Sequence, residues 1–126
     1  MKKTGILNAE LSGIVAAMGH GDLLVIGDAG LPVPEGVPCI DLAVTLGVPR
    51  LAQVLGVVMT ELEVERSVVA RETGDDVQAW IAETGLAPEA VSHEEFKRMS
   101  AGAVAVVRTG EATAYANIAL FAGVVF

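Results

Sequence analysis

The 126-residue sequence is poor in the features that define several large classes of protein. Its single cysteine, Cys39, excludes an internal disulfide framework and is typical of a reducing cytosol. Only 8 lysines and arginines stand against 16 acidic residues, and the net charge of −8 argues against a surface for nucleic-acid phosphates. Apolar runs such as Leu23–Ile26 are far too short to span a bilayer. We therefore expect a cytoplasmic protein that binds neither nucleic acid nor membrane.

Several chemical motifs are also missing. The sequence has no phosphate-binding loop, no Cys/His cluster with zinc-ligand spacing and no Gly-x-Ser-x-Gly nucleophile elbow. Gly19-His20-Gly21 lacks the third glycine of a dinucleotide fingerprint, and it precedes a predicted strand instead of following one. We expect neither a metal nor a cofactor.

Apolar residues, by contrast, are abundant. They make up 52% of the chain, and the charged residues only 19%. This excludes intrinsic disorder, and the length predicts a single domain over 1–126. A folded monomer of 13.0 kDa exposes roughly 6,300 Å², which so few charges cannot cover without leaving apolar patches. This excess of apolar residues predicts an obligate homo-oligomer. The alternative is that the apolar residues, many of them small, are accommodated in the core.

Helices and strands alternate along the predicted chain. Asn8 caps a first helix, and the apolar run Leu23–Ile26 is typical of a strand buried on both faces. Strict alternation from Glu61 predicts a strand with one wet face that extends to Val69. Ser92 opens a capping box that places His93 first in a helix. The other predictions are strands at Cys39–Ala43, Ala103–Val107 and Asn117–Val125, a helix opened by Pro49, and a helix over Asp75–Glu83.

This alternation predicts an α/β sandwich with a largely parallel sheet. Ligands bind such sheets beyond the carboxyl ends of strands, and Asp28 follows the first strand. Its carboxylate could accept sugar hydroxyls or orient a histidine, or it could close an Asx turn on its own backbone. His20 lies between two glycines, which leaves the imidazole uncrowded. A turn histidine bonded to a carbonyl is the plainer interpretation of that residue.

Two further groups carry polar side chains at predicted element ends. His93 and Lys97 are four residues apart on one helix and share a face, as a site or as a solvated surface pair. Tyr115 and Asn117 lie where a loop enters the final strand, and such groups are typical of a pocket mouth. The alternative is a buried tyrosine whose hydroxyl needs one partner.

Taken together, these segments resemble the D-ribose pyranase family and its sister group, the L-fucose mutarotases. The resemblance runs in order along nearly the whole chain. It rests on Leu7–Ser12, Gly19–Asp22, Asp28–Pro32, Asp41–Ala43, Gly47–Pro49, Gln53–Leu55, His93–Lys97, Arg108–Glu111, Tyr115–Ile118 and Ala122–Val124. Between these motifs, the segment from Thr73 to Val91 is shorter and more acidic than is usual in the family.

The resemblance implies a three-layer α/β/α fold in a cytoplasmic, ring-based homo-oligomer such as a decamer or octamer. It implies interconversion of the pyranose and furanose forms of D-ribose without a cofactor. His20 would be the general acid. The implied sugar-binding residues are Asp28, His93, Lys97, Tyr115, Ala116 through its backbone, and Asn117. A mutarotase for fucose or another monosaccharide, and a non-catalytic sugar-binding module, are the alternatives.

The spacing of His20 and Asp28 carries one more prediction. If Leu23–Gly27 is an extended strand, the two residues are up to roughly 26 Å apart along the chain. A fold-back at Gly19 and Gly21 recovers only about 10 Å. The remaining gap exceeds the size of a pentose, well under ~10 Å. We therefore expect the pocket to be shared, with His20 supplied by a neighbouring subunit.

Overall fold

The chain, in a computed structural model that describes all of residues 1–126, forms four helices and six strands. The helices are α1 (Ala9–Ala17), α2 (Leu51–Val58), α3 (Asp75–Ala82) and α4 (His93–Ser100). The strands are β1 (Leu23–Gly27), β2 (Cys39–Asp41), β3 (Val64–Ala70), β4 (Glu89–Val91), β5 (Ala105–Arg108) and β6 (Ile118–Ala122). None of the four helices has the length and apolar content that crossing a membrane requires.

The six strands form one sheet in the order β2-β5-β1-β6-β3-β4. The neighbouring pairs β2–β5, β1–β5 and β3–β4 are parallel, whereas β6 is antiparallel to both β1 and β3. Five strands therefore share one direction, and β6 alone runs against them. This confirms the predicted largely parallel sheet.

Helices cover both faces of the sheet. Leu11, Leu55 and Ile81, from the first three helices, pack with Leu24 and Ile26 on one face. Helix α4 covers the other face, where its Phe96 packs against the alternate residues of β1. The three-layer α/β/α fold is thus confirmed, with three helices on one face and one on the other.

Helices α1 and α4 begin at the predicted caps. Asn8 accepts a hydrogen bond from the Leu11 N–H at 2.9 Å, and Ser92 accepts one from the Glu95 N–H at 3.1 Å. The reciprocal half of the predicted capping box is replaced, because the Glu95 carboxylate forms an ion pair with Arg98 instead. These caps place His93 at the first position of α4, as predicted.

Helix α2 begins later than predicted. Pro49 lies outside it, and Arg50 is the N-cap. The start is set by side chains instead: Gln53 Oε1 accepts from the Arg50 N–H at 2.9 Å, and Glu111 Oε2 accepts from the Leu51 N–H at 3.1 Å.

The prediction of a strand at 61–69 is wrong for its first three residues, since β3 begins at Val64. The Leu62 N–H still bonds to the Val58 carbonyl at 2.9 Å, so this stretch belongs to the turn after α2.

The strands predicted at 39–43, 103–107 and 117–125 are shorter in the structure, whereas β1 extends one residue beyond its predicted end. Asp41 ends β2, because its Oδ1 accepts from the Ala43 N–H at 3.0 Å and bends the chain away. Strand β6 stops at Ala122, and the apolar residues that follow it are exposed. Strand β4 was not predicted, since it has three residues, follows Pro88 and shows no alternation of burial. It lies at the edge of the sheet and pairs only with β3.

Candidate functional site

The carboxyl edge of the sheet collects most of the predicted site residues. Asp28 directly follows β1, and His93 begins α4 two residues after β4. Asn117 precedes β6, whose reversed direction brings its amino end to the same edge. Three segments that are distant in sequence therefore converge where ligands bind open α/β sheets.

Asp28 and Asn117 are joined directly. The Asn117 side chain is 1% exposed, and its Oδ1 accepts a hydrogen bond from the Asp28 N–H at 2.8 Å. Gly27 permits this approach, because a Cβ there would lie 3.0 Å from that oxygen. The Asp28 carboxylate closes the predicted Asx turn, with Oδ1 accepting from the Gly30 N–H at 2.9 Å. The turn leaves the second carboxylate oxygen available for a hydroxyl donor.

His93 and Tyr115 form the second contact at this edge. Their rings meet edge to face, with centroids 5.0 Å apart and planes at 79°. Tyr115 is 39% exposed, so it is not the buried tyrosine of the alternative interpretation. Its φ of 57° lies in the left-handed region, which non-glycine residues adopt mainly in strained or functional segments.

The His93 imidazole has one unpaired atom. Its Nδ1 is buried and has no hydrogen-bond partner in the chain. An unpaired buried polar atom costs about 1–3 kcal/mol, so such atoms are normally satisfied by a ligand or an ordered water. The backbone is fixed independently, since the His93 N–H donates to Glu72 Oε2 at 2.8 Å. A sugar hydroxyl would suit the free imidazole nitrogen.

Lys97 and Ala116, the other two predicted site residues, both have partners within the chain. Lys97 is half-buried one turn after His93, but its Nζ forms an ion pair with Glu94 Oε1 at 2.8 Å. The hydrogen bond from Lys97 lowers the pKa of the Glu94 carboxyl. Ala116 is fully buried, and its N–H donates to the Thr113 carbonyl at 3.3 Å. Its own carbonyl accepts no hydrogen bond within the chain and is available to a ligand.

Two residues that the sequence did not single out hold this edge together. Thr73 is 4% exposed, and its Oγ1 donates to the Tyr115 carbonyl at 3.1 Å. Thr73 is the first residue of the acidic segment that ends at Val91, so this segment contacts the carboxyl edge at its start. Glu111 is 2% exposed and accepts from Arg50, from the Leu51 N–H and from Thr113.

The Glu111 carboxylate acts as a buried connector. Burial raises its pKa, but the hydrogen bonds from Arg50, Leu51 and Thr113 outweigh this, and the pKa is lowered overall. The Arg50 guanidinium also lies 4.9 Å from the centre of the Trp80 ring. The Glu111 carbonyl accepts from the Ala29 N–H at 2.9 Å, so this residue ties the loop after Asp28 to α2. Its membership of the Arg108–Glu111 motif was the only sequence signal.

A cavity of about 380 Å³ opens beside Asp28, within the size range of small-molecule sites. The residues lining the cavity are Asp28, Ala29, Gly30, Leu46, Glu111, Ala112, Thr113 and Ala114.

The described chain has no group of three or more His, Cys, Asp or Glu side chains arranged to hold a metal ion.

His20 lies at the opposite edge of the sheet. It is exposed in the turn between α1 and β1, and the Gly21 N–H donates to the Ala122 carbonyl at the far end of β6. The five residues of β1 separate this turn from Asp28, a span of about 17 Å at ~3.3 Å per residue. The ring bonds to a carboxylate, with Nε2 2.8 Å from Glu65 Oε2, and not to a backbone carbonyl.

The chain matches known proteins over its full length. Residues 1–125 match the model of the RbsD / FucU transport protein family. The D-ribose pyranase of Variovorax paradoxus is 57% identical over 132 residues, covering all of both chains. The structure of Bacillus subtilis RbsD complexed with D-ribose superposes with a TM-score of 0.94, at 44% identity and full coverage of both chains. The fucose mutarotase of Streptococcus pneumoniae, complexed with L-fucose, has a TM-score of 0.84 at 24% identity and full coverage, a likeness of fold.

Proposed function

Because the chain belongs to the RbsD / FucU transport protein family, we infer that it is an isomerase that interconverts the pyranose and furanose forms of D-ribose. The observation that carries this conclusion is the end-to-end identity of 57% with a curated D-ribose pyranase. The resemblance indicated by the sequence motifs is thereby confirmed. The likeness to a solved protein complexed with D-ribose supports the same substrate.

The chemistry needs two proton transfers. Opening the hemiacetal places a proton on the ring oxygen and removes one from the anomeric hydroxyl; a different hydroxyl then attacks the aldehyde as the ring recloses. Each transfer, made by a positioned side chain, is worth about 10²–10⁴-fold. We assign the donated proton to His20, since imidazole exchanges protons near neutral pH.

The carboxyl edge would hold the sugar. Asp28 has a free carboxylate oxygen, and Asn117, which orients the Asp28 backbone, is fixed by burial. His93 offers an unpaired Nδ1, and Tyr115 offers a partly exposed phenol beside it. These groups would bind the hydroxyls of the open chain and present the attacking one. We include Lys97 and the Ala116 carbonyl in this binding set.

Ribose is favoured over the alternatives by the pattern of identity. The likeness to the fucose mutarotase, at 24% identity, supports a shared fold, whereas two curated D-ribose pyranases are 57% and 54% identical to this chain over its full length. A non-catalytic sugar-binding module would require no exchangeable proton at His20. The name shared by the curated relatives is that of an enzyme, and it favours catalysis.

The assembly is proposed on two grounds. His20 and Asp28 flank opposite ends of β1, so one chain does not bring both to a single pentose. The chain also exposes large apolar side chains, and a groove of about 330 Å³ lies between α1 and α2. We propose a homo-oligomer, a ring-based decamer or octamer, in which a neighbour supplies His20. The exposed side chains that support it are Leu7, Val44, Leu46, Val48 and Val57.

We propose a cytoplasmic location on the ground of the cysteine content. One unpaired Cys39 and no disulfide are typical of the reducing cytoplasm, where we place the protein.

Saturation-transfer NMR tests the activity directly. Magnetisation is saturated at the β-pyranose anomeric proton of D-ribose, and its transfer to the furanose signals is compared with and without protein. We expect transfer to increase with protein for ribose. Exchange confined to the α and β pyranoses, or found with L-fucose and not with ribose, would favour the mutarotase alternative. Saturable ribose binding without faster exchange would favour the binding module.

A further inference from the structure

Glu65 occupies an unusual position in strand β3. The β3–β6 ladder pairs Val64 with Ala122 and then Arg66 with Phe121, so Glu65 is the extra residue of a β-bulge. A bulge redirects the side chain of its extra residue, and bulges are common beside active sites. Here the Glu65 carboxylate reaches His20, which is 45 residues away in sequence, at 2.8 Å.

Both sides of this contact are held by backbone hydrogen bonds. The Gly21 N–H donates to the Ala122 carbonyl at 2.8 Å, and the Gly123 N–H donates to the Glu63 carbonyl at 2.9 Å. Asp22, the other carboxylate of the turn, accepts from the Gly19 N–H at 2.9 Å and caps the turn. The end of β6 therefore carries the histidine turn on one side and the start of β3 on the other.

The chemistry of the contact fixes which ring nitrogen carries the hydrogen. A carboxylate only accepts, so His20 Nε2 must be the donor to Glu65. In the neutral ring the hydrogen is then on Nε2, and Nδ1 has the free lone pair. We propose that Glu65 is a positioning residue that selects this tautomer and directs His20 Nδ1 at the sugar as the proton-exchanging atom.

The inference rests on the proposed function, and it identifies His20 Nδ1 as the atom that exchanges the proton. When the hemiacetal opens, the Nδ1–H of the protonated ring gives its proton to the ring oxygen, the bond between C1 and the ring oxygen breaks, and the anomeric hydroxyl loses its proton to solvent water. On reclosure the attacking hydroxyl gives its proton to Nδ1, the aldehyde oxygen takes a proton from water, and the imidazolium regains its charge beside Glu65. Glu65 keeps its own proton count throughout, because it accepts the same Nε2–H in both states.

The pair is exposed in the isolated chain, with side-chain exposures of 62% for His20 and 46% for Glu65. Exposed ion pairs contribute little to stability, so substitution of Glu65 should leave the fold intact. Glu63 offers a matched control: it carries the same charge, is exposed two residues earlier and makes no bond to His20.

The test compares Glu65→Gln, Glu65→Asp and Glu63→Gln. Glutamine can donate as well as accept, so it no longer selects one tautomer. We expect Glu65→Gln to slow ribose exchange by roughly 10- to 100-fold in kcat, a part of the full general-acid contribution, with KM unchanged. Glu65→Asp should recover part of the rate, and Glu63→Gln should match the wild type.

Nitrogen-15 NMR of the imidazole provides a second readout. The chain has only two histidines, and His20→Ala assigns the signals. We expect the Nε2–H tautomer in the wild type and in Glu63→Gln, and a mixture of tautomers in Glu65→Gln. Full exchange activity in Glu65→Gln, or an unchanged tautomer in that variant, overturns the role of Glu65.

The two levels of the proposal are separable. If His20→Ala loses exchange while Glu65→Gln keeps it, only the positioning role is lost. If His20→Ala keeps exchange, the proposed role of His20 is lost and that of Glu65 with it. A wild-type protein that does not exchange ribose forms overturns both.

Discussion

At the carboxyl end of β1, Asp28 is held by the fully buried Asn117 and by a loop tied to the buried Glu111. At the amino end, His20 stands exposed, and its ring has a single partner, Glu65. The first end is built as a rigid holder, with buried hydrogen bonds that tolerate little movement. The second end leaves a titratable group accessible. Such a division suits a reaction in which one surface binds the sugar and another delivers a proton.

The largest effect should come from removing His20, the proposed proton donor. We expect His20→Ala to reduce ribose exchange by at least about 10²-fold, the lower range for general acid–base catalysis, without loss of fold. Saturation-transfer NMR gives the rate, and circular dichroism gives the folded fraction. Near-normal exchange in the folded variant would remove the amino end of β1 from the mechanism.

Mixing two inactive variants tests whether the two ends meet across chains. We expect His20→Ala and Asp28→Ala to be inactive separately and to regain activity after subunit exchange. In a symmetric oligomer with random mixing, about a quarter of the sites receive both intact residues. Confirmed exchange without recovered activity would show that the residues act within one chain.

The size of the assembly is tested separately by analytical ultracentrifugation at micromolar concentration. We expect a species larger than a dimer, because the isolated chain leaves much apolar surface exposed. A 13.0 kDa species would contradict the proposed oligomer, and with it the shared site.

Glu111 ties the loop after Asp28 to the start of α2. We expect Glu111→Gln to lower the free energy of unfolding by about 1.5–3 kcal/mol, because bonds to a charged acceptor are lost. Urea unfolding at pH 7 measures the change, with Glu63→Gln as an exposed control. An unfolding free energy equal to that of the control would show that the buried connector contributes nothing.

The same carboxylate predicts a pH dependence. Its folded pKa is lowered, so its contribution to stability is full above the unfolded pKa of about 4.3 and is lost as pH falls through the folded pKa. The wild type should lose more stability below about pH 4.3 than Glu111→Gln does. An equal loss of unfolding free energy in the two proteins as the pH falls below about 4.3 would contradict the prediction.

The smallest effect concerns the hydroxyl of Tyr115, which belongs to the proposed sugar-binding set. Tyr115→Phe keeps the ring against His93 and removes the phenol. Loss of one neutral hydrogen bond, about 0.5–1.5 kcal/mol, should weaken ribose binding by roughly 2- to 12-fold. Titration calorimetry measures the affinity. Unchanged affinity would place the phenol outside the binding set.

The sequence predicted best the features that are local in the chain. Asn8 and Ser92 were correctly identified as caps, and β1 was recognised from its continuous apolar run. Contacts between distant segments could not be predicted in this way. Thr73 meets Tyr115 across 42 residues, and the alternation around Glu65 indicated only a wet strand face, without the bulge. The three-residue β4 has too little pattern to be distinguished from a loop.

Strand β6 also has a consequence for folding. In the sheet it is the only link between the β2-β5-β1 half and the β3-β4 half, yet it follows both along the chain. During synthesis the two halves must wait, with their central edges unpaired, until residues 118–122 have left the ribosome. Pairings of such long sequence separation close slowly and leave strand edges open to association with other chains. The nascent chain should therefore be most prone to aggregation just before β6 is inserted, and a ribosome stalled ahead of residue 118 should display a protease-sensitive chain.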